Sequence, residues 1–290
     1  MSAAAPAAVA PELTEAYFPS TDGLQLYLAS MTPPSPKASV LVLHGYADHA
    51  LRYRHVLEAL ARAGYAAHAL DYRGHGRASG RRGFVAKFDD YLGDVKTALA
   101  RVEAMPPGGP LFLFGHSHGA LVAATLVARE KTKVKGLVLS GPYFRLRMVP
   151  SWFQLFQAKV VGRVIPFLSV KNPVTSDLLT HDAEMREATD ADPLRHTVVT
   201  PRWFSESTAA QAALFANAAK VTTPLLVMQG GDDPVADPAG AQAFVEACGS
   251  ADKQLTVYPG MFHEILNEVE RDKPIAEAIA WLDQHVASAP

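Results

Sequence analysis

The chain has 290 residues, of which 49% are hydrophobic and 19% charged, and its formal net charge is -2. This composition excludes a disordered protein, and the balance of charge gives no basic stripe for nucleic acid. Cys248 is the only cysteine, which excludes an intramolecular disulfide and a cysteine-rich metal site. The one local excess of positive charge, Arg73 to Arg82, is interrupted by glycines, and we interpret it as a solvated loop.

Residues 1–12 are rich in alanine and proline and lack the charged and leucine-rich segments of a secretory leader. We predict a disordered tail there. No apolar run approaches the ~20 residues that a bilayer-spanning helix needs. The sequence therefore predicts a cytoplasmic protein without a transmembrane segment.

Short apolar runs alternate with longer stretches of helical periodicity, which predicts strand–helix units around a mostly parallel sheet. The first strand, Leu24–Ala29, follows the turn signal Asp22-Gly23 and has the alternation of a half-buried strand at an antiparallel edge. The later predicted strands are Ser39–Leu43, Tyr65–Leu70, Leu111–Phe114, Val134–Leu139, Leu225–Gln229 and Gln254–Tyr258. The predicted helices are Arg52–Ala63, Asp89–Met105, Leu121–Arg129, Pro238–Ala247 and Pro274–Val286.

Residues 142–219 break this rhythm with aromatic side chains, prolines and helical patches. A structureless loop of that length is implausible inside a compact domain. We therefore predict a mainly helical cap, inserted into a core that residues 13–141 and 220–290 form. Most of its aromatic residues are expected to pack the cap onto the core, and a cap above strand ends is also where a ligand cavity forms.

Ser117 is the centre of the pentapeptide Gly115-His116-Ser117-His118-Gly119, which directly follows a predicted strand and precedes a helix. In that context the serine occupies a tight strand-to-helix turn that pushes its hydroxyl into solvent. We predict that Ser117 is a nucleophile. A small-residue turn without chemistry is the alternative.

A serine hydroxyl needs a base to take its proton and a third group to orient that base. On folds with this turn the order along the chain is serine, acid, histidine. His181 and His196 fall within the predicted cap, and His285 lies on the terminal helix. His263 follows the end of a strand and is the predicted base.

The acid is expected after the strand Leu225–Gln229, where residues 230–237 read G-G-D-D-P-V-A-D. Asp233 is the predicted acid, and Asp232 is its near competitor. Asp237 precedes a proline and suits the N-cap of the next helix.

Negative charge that develops on a carbonyl oxygen needs two backbone N–H groups nearby, forming an oxyanion hole. The residue after the nucleophile usually supplies one of them, and an early strand-end loop supplies the other. These positions are His118 and Tyr46. His44 is interpreted as a structural hydrogen-bonding group, and no metal site is predicted because no third ligand has suitable spacing.

Further motifs make a family resemblance specific across residues 20–286. They are H-G-Y-A-D-H-A-L-R-Y (44–53), D-Y-R-G-H-G-R-A-S-G-R-R-G (71–83), G-H-S-H-G (115–119), D-A-D-P-L (190–194), G-G-D-D-P-V-A-D (230–237) and Y-P-G-M-F-H-E (258–264). With them the chain resembles monoacylglycerol lipases and related lysophospholipase-like serine hydrolases of the α/β-hydrolase superfamily. The resemblance favours Asp233 over Asp232. His118 departs from the methionine that is usual in the family, which puts the shape and pH response of the acyl pocket in question.

The resemblance implies an eight-stranded, mostly parallel sheet with a cap, and hydrolysis of a fatty-acid monoester of glycerol through an acyl-enzyme. It implies no cofactor. The residues alone indicate a carboxyl ester with an apolar acyl group. A lysophospholipase, a general carboxylesterase, a C–C hydrolase and, from another class, a hydrolase-fold ligand-binding protein stay open. The expected partner is a small lipid ester; transient contact of the cap with a membrane surface is compatible with the sequence, which leaves the oligomeric state open.

Overall fold

A computed structural model of the chain describes residues 11–106, 109–147 and 151–287. Residues 1–10 of the predicted tail lie outside the described residues. The strands in the described ranges are β1 (Thr14–Pro19), β2 (Gln25–Met31), β3 (Ala38–Leu43), β4 (Tyr65–Asp71), β5 (Leu111–His116), β6 (Gly136–Ser140), β7 (Val170–Lys171), β8 (Val198–Val199), β9 (Leu225–Gly230) and β10 (Lys253–Tyr258). The α-helices are α1 (Arg54–Arg62), α2 (Phe88–Glu103), α3 (His118–Arg129), α4 (Trp152–Val164), α5 (Ala183–Ala191), α6 (Pro201–Ala216), α7 (Pro238–Ala247) and α8 (Asp272–Ala287).

Eight strands form one sheet in the order β1-β2-β4-β3-β5-β6-β9-β10. β2 is antiparallel to both β1 and β4, and every other neighbouring pair is parallel. The predicted eight-stranded, mostly parallel sheet is thus confirmed. The antiparallel edge includes β1, a strand that the sequence analysis did not single out.

Each face of the sheet carries its own hydrophobic core. Successive residues of β3 point into opposite cores, as the two-residue period of a strand requires. Helices α2, α3 and α7 contribute apolar side chains to one core, and α1 and α8 contribute to the other. The body is therefore a three-layer structure with the sheet in the middle.

The prediction that the first strand is half-buried is wrong. In β2 only Gln25 is exposed, and the six residues from Leu26 to Met31 are buried. Leu26 and Leu28 belong to one core, whereas Tyr27 and Ala29 belong to the other. The strand lies between β1 and β4 and is covered on both faces, so its alternation marks two cores rather than one core and solvent.

The interpretation of Arg73 to Arg82 as a solvated loop is wrong for half of the stretch, because Arg73 to Gly76 and Ala78 are buried. Arg73 is buried and holds the fully buried Asp94 through two hydrogen bonds, from Nε and from Nη2, of 2.8 and 2.7 Å. Nη1 of the same guanidinium donates to Asp22 at 2.7 Å. This network ties the turn between β1 and β2 to α2.

Between β6 and β9 the chain leaves the sheet. Helices α4, α5 and α6 and the two-stranded sheet of β7 and β8 occupy this stretch of the sequence. Helix α6 contacts α2 and α3 of the body. In the described ranges, no helix combines the length and the apolar character that crossing a membrane requires.

The order of the sheet places a topological switch at its centre. From β3 the chain continues to β4 on one side, whereas β5 pairs with the other side of β3. Ligands of open parallel sheets bind beyond the carboxyl ends of the strands at such a switch. The loops that follow β3 and β5, which hold Tyr46 and Ser117, meet at this point.

Candidate active site

Ser117 lies in a strained turn between β5 and α3. Its φ of 52° and ψ of -115° are unfavourable for a residue with a side chain. A Cβ on Gly119 would approach the carbonyl oxygen of Leu43 to 2.3 Å, and one on Gly115 would approach the Cα of Ala120 to 2.6 Å. Both glycines of the pentapeptide are therefore needed for the helix to start so close to the sheet.

The hydroxyl of Ser117 belongs to a line of three hydrogen-bonded side chains. Ser117 Oγ lies 2.8 Å from His263 Nε2, and His263 Nδ1 lies 2.8 Å from Asp233 Oδ2. Ser117 is 8% exposed, whereas the other two side chains are buried more deeply. The structure thus brings together three residues that are up to 146 positions apart.

Asp233 is held by four donors. Its Oδ2 accepts from His263 and from Gln229 Nε2 at 2.8 Å, and its Oδ1 accepts from the backbone N–H groups of Val235 and Ala236 at 2.8 Å. The competitor Asp232 is exposed, and its backbone N–H donates to the Met261 carbonyl. The geometry therefore favours Asp233. The proposed N-cap at Asp237 is confirmed, because its side chain accepts from the N–H of Ala239 at 3.0 Å.

The two buried partners shift each other's pKa in opposite directions. Burial disfavours the imidazolium of His263, but the charge of Asp233 and its hydrogen bond outweigh burial and hold the pKa of His263 above its ordinary value. Burial likewise disfavours the carboxylate of Asp233, but His263 and the two backbone N–H groups keep the pKa of Asp233 below its ordinary value.

The carboxylate also sets the tautomer of the ring. An ionised carboxylate only accepts hydrogen bonds, so Nδ1 of His263 carries the proton. Nε2 then has a free lone pair and accepts the hydroxyl proton of Ser117. Such an arrangement can remove a proton from a serine hydroxyl and return it to a leaving group.

Tyr46 and His118 lie at the same cavity as Ser117 and His263. The two loops approach closely here, since a Cβ on Gly45 would lie 3.4 Å from the Cβ of Ser117. Among the described residues, no acceptor takes a hydrogen bond from the backbone N–H of Tyr46 or of His118. Two unpaired N–H groups at one cavity are what a developing oxyanion requires.

The ring of His118 is fully buried beneath this site. Its Nδ1 lies 3.3 Å from Tyr72 Oη, and it forms a T-shaped pair with the ring of Tyr91, with 5.0 Å between centroids. Burial, with a smaller contribution from His44, lowers the pKa of His118 to about 3. The ring is therefore neutral near pH 7 and adds no charge to the site.

A cavity of about 310 Å³ opens onto Ser117. Its walls are mainly apolar, and most of them come from the segment between β6 and β9. Its apolar lining includes Leu146, Ala158, Val170, Trp203 and Phe204.

One part of the wall is polar, which the sequence analysis did not predict. Asp48, Arg195 and Glu264 line the cavity, and Arg52 Nη2 donates to Glu264 at 2.8 Å. Burial opposes ionisation of Asp48, but Arg52 and Arg195 lower its pKa to about 2. The motifs contained the signal, because Asp48 and Arg52 stand in H-G-Y-A-D-H-A-L-R-Y and Glu264 directly follows His263.

Comparison with known proteins places the chain in a hydrolase family. The family model described as serine aminopeptidase, S33, matches residues 34–270. The chain belongs to this hydrolase family. The resemblance that the motifs predicted is confirmed by a monoacylglycerol lipase of Mycolicibacterium smegmatis, which is 31% identical over 94% of this chain and 98% of its own length.

Two further members of the comparison bear on fold and substrate. A phospholipase of Bacillus subtilis is 29% identical over 87% of this chain and 97% of its own length. The crystal structure of a monoacylglycerol lipase from Paleococcus ferrophilus superposes with a TM-score of 0.81 at 25% identity, covering 94% of this chain and 99% of the other. The chain therefore has the α/β-hydrolase fold and is a serine ester hydrolase.

Proposed function

We propose that this protein hydrolyses monoacylglycerols to glycerol and a free fatty acid, with Ser117 as nucleophile, His263 as base and Asp233 as the orienting acid. The observation that carries the proposal is the hydrogen-bonded line of these three side chains at the mouth of a mainly apolar cavity. The M. smegmatis and P. ferrophilus lipases support the same substrate class.

The geometry suggests the order of proton transfers. Nε2 of His263 takes the hydroxyl proton as Ser117 Oγ attacks the ester carbonyl, and the N–H groups of Tyr46 and His118 stabilise the negative oxygen. His263 then gives its proton to the departing glycerol oxygen, which leaves an acyl-enzyme. A water molecule, deprotonated by the same nitrogen, releases the fatty acid and restores Ser117.

The polar part of the wall suits an uncharged alcohol with several hydroxyl groups. The formal charges of Asp48, Glu264, Arg52 and Arg195 cancel, and the cluster offers both donors and acceptors. The Nε of Arg195 is buried and has no partner among the described residues. A phosphate could bind there, which keeps lysophospholipid as the second candidate substrate.

Activity on 1-monoacylglycerols is expected to rise with acyl-chain length and then to level off or fall. Each methylene buried in the apolar cavity contributes ~0.8 kcal/mol, or about fourfold in kcat/KM, until the cavity is full. Steady-state kcat/KM on a chain-length series measures this, with matching lysophosphatidylcholines and triacylglycerols alongside. Preference for lysophosphatidylcholine would replace the substrate assignment, and activity confined to acetate and butyrate esters would refute an acyl cavity.

A pair of variants on one helix tests the position of the acyl chain. Ala158→Leu enlarges a side chain that lines the cavity and should move the preferred acyl chain to shorter lengths. Val160→Leu alters a residue of α4 that is 43% exposed and should leave the preference unchanged. If both variants kept the same preference for acyl-chain length, the acyl chain would not lie beside Ala158.

The rival from another class, a ligand-binding protein on the same fold, is distinguished by turnover. With a p-nitrophenyl ester, the proposed enzyme should release a burst of p-nitrophenol followed by steady turnover. Stoichiometric binding without turnover would support the rival.

We also propose that the protein is cytoplasmic and meets its substrate at a lipid surface through the cap. Trp152, Phe153 and Phe156 of α4 are 78%, 52% and 57% exposed, an unusual concentration of aromatic surface. Residues 152–171 carry two lysines and one arginine but no acidic residue.

The double variant Trp152→Ala/Phe153→Ala should lose most binding to vesicles of anionic phospholipid in a flotation assay. Tyr17→Ala, which removes an exposed aromatic ring from β1, is the matched control; equal binding by both variants would contradict the proposal.

A further inference from the structure

The side chain of Tyr46 is held by the segment between β6 and β9. Its ring stacks on that of Trp203 with 3.6 Å between centroids and 27° between planes. Its hydroxyl donates to the carbonyl oxygen of Val198 in β8 at 3.0 Å. The residue at the cavity whose N–H has no acceptor among the described residues thus reaches into the cap with its phenol.

The hydroxyl is enclosed where the backbones of body and cap approach each other closely. A Cβ on Gly83 would lie 2.8 Å from the carbonyl oxygen of Val198 and 3.1 Å from Tyr46 Oη. Next to β8, Thr200 donates through both its N–H and its hydroxyl to the carbonyl of Gly83, at 3.2 and 2.7 Å. The phenol is therefore fixed by two backbones that are themselves bonded together.

The backbone beside the N–H of Tyr46 is strained and is also bonded to the cap. Ala47 has a φ of 63°, which costs free energy in a residue with a side chain, and its carbonyl accepts from the N–H of His196 at 3.4 Å. A strained conformation persists only where surrounding contacts hold it. Contacts of Trp203, Val198 and His196 supply part of that restraint, and all three belong to the same segment. The body supplies the rest, because His44 Nδ1 and Tyr72 Oη both bond the carbonyl of Gly45, which shares a peptide with the N–H of Tyr46.

We propose that the side chain of Tyr46 is a positioning residue that makes the oxyanion hole depend on the seated cap. When the cap is in place, the phenol and the Ala47 carbonyl hold the loop after β3 so that the N–H of Tyr46 points to the reacting carbonyl. When these contacts are lost, only the hydrogen bonds of His44 and Tyr72 to the Gly45 carbonyl orient that N–H, and it is held less firmly, although Ser117, His263 and Asp233 stay bonded to one another. The proposal rests on the function proposed above.

Two substitutions of Tyr46 distinguish the contribution of its hydroxyl from that of its ring. Tyr46→Phe removes one hydrogen bond and should lower kcat about tenfold or less, as the loss of a single neutral bond does. Tyr46→Ala also removes the stack and should lower kcat by ~10²-fold, the effect of losing one oxyanion donor. For both, KM on the ester should change much less than kcat.

The Ki of an alkyl trifluoromethyl ketone distinguishes a positioning role of Tyr46 from a merely structural one, which would leave this Ki unchanged. Ser117 adds to this ketone to form a tetrahedral oxyanion, so its Ki should rise in both variants by the same factor as kcat falls. Trp203→Leu approaches the contact from the cap, and combining it with Tyr46→Ala should cost less than the product of the single effects. Arg202→Ala breaks a different cap-to-body contact, with the Ala86 carbonyl, and should leave kcat and Ki unchanged.

The outcomes are distinguishable. Wild-type kcat and Ki in Tyr46→Phe and Tyr46→Ala would overturn the coupling, as would a rise in KM with an unchanged Ki, which would mean that the phenol only shapes the cavity. Labelling of Ser117 by a fluorophosphonate in each variant shows that the fold and the nucleophile are intact. A wild-type protein that neither turns over esters nor binds the ketone would instead refute the proposed function.

Discussion

Ser117→Ala is expected to lower kcat for ester hydrolysis on the order of 10⁶-fold while leaving the fold intact. Removal of the nucleophile of a serine triad has an effect of this size, and further triad substitutions add little because the residues act as one unit. Alanine keeps the Cβ that the strained backbone already accommodates. Thermal unfolding should therefore shift by no more than about 3 °C, the effect of roughly 1 kcal/mol in a chain of this size.

Ser140→Ala is the matched control for this variant. Ser140 ends the neighbouring strand β6, and its hydroxyl lies 3.2 Å from Nδ1 of His116 rather than at the ring of His263. It should retain most of the activity. A fluorophosphonate should label Ser117 in the wild type and in Ser140→Ala, as mass spectrometry of the peptides would show. Substantial turnover by Ser117→Ala, or labelling of another serine, would rule out the nucleophile.

Asp233→Asn is expected to lower kcat by at least ~10²-fold, approaching ~10⁴-fold. An amide in place of the carboxylate can donate to Nδ1 of His263, which favours the tautomer with the proton on Nε2 and leaves no lone pair for Ser117. Gln229 and the N–H groups that now bind the carboxylate would also meet a weaker acceptor. Steady-state kinetics on a p-nitrophenyl ester measure the loss.

The wild type and Asp233→Asn should also differ in how kcat/KM depends on pH. The base must be neutral, so kcat/KM of the wild type should fall as the pH drops through the pKa of His263, which lies above its ordinary 6.5. In Asp233→Asn the charge and hydrogen bond that raise this pKa are gone, whereas burial, which lowers it, remains. The acidic limb of the residual activity should move to lower pH. A limb at unchanged pH would show that Asp233 is not what raises the pKa.

Asp232→Asn supplies the control one residue away. Asp232 is exposed, and the same substitution there should cost less than ~10-fold in kcat. If the two magnitudes were reversed, the role of the acid would pass to Asp232.

Local patterns predicted most elements of the body, though not β1, and the residues that the structure brings together. Ser117 is recognisable because a strand, a glycine-flanked serine and a helix are contiguous in sequence. His263 follows from its place after a strand. Asp233 was preferred to its neighbour Asp232 in the loop after β9, and the family resemblance favoured the same residue. The sheet then assembles these loops because the carboxyl ends of parallel strands share one edge.

What the sequence did not reveal depends on contacts between distant segments. Burial of Arg73 needs Asp94, which a helix places opposite it. The complete burial of β2 depends on β1 and on a core on each face. The stack of Tyr46 on Trp203 joins residues 157 positions apart, and no periodicity in either segment indicates it. Such pairings arise from the tertiary fold, which single-sequence patterns do not encode.

The cavity wall and the proposed triad come from different parts of the sequence. The proposed catalytic side chains lie on loops on both sides of one contiguous stretch, residues 142–219, while that stretch supplies most of the cavity wall. Substrate range can therefore drift by mutation, or by recombination of a single block, without altering the chemistry. The Tyr46 phenol limits that freedom, because an exchanged block has to bring a ring and a carbonyl that receive it.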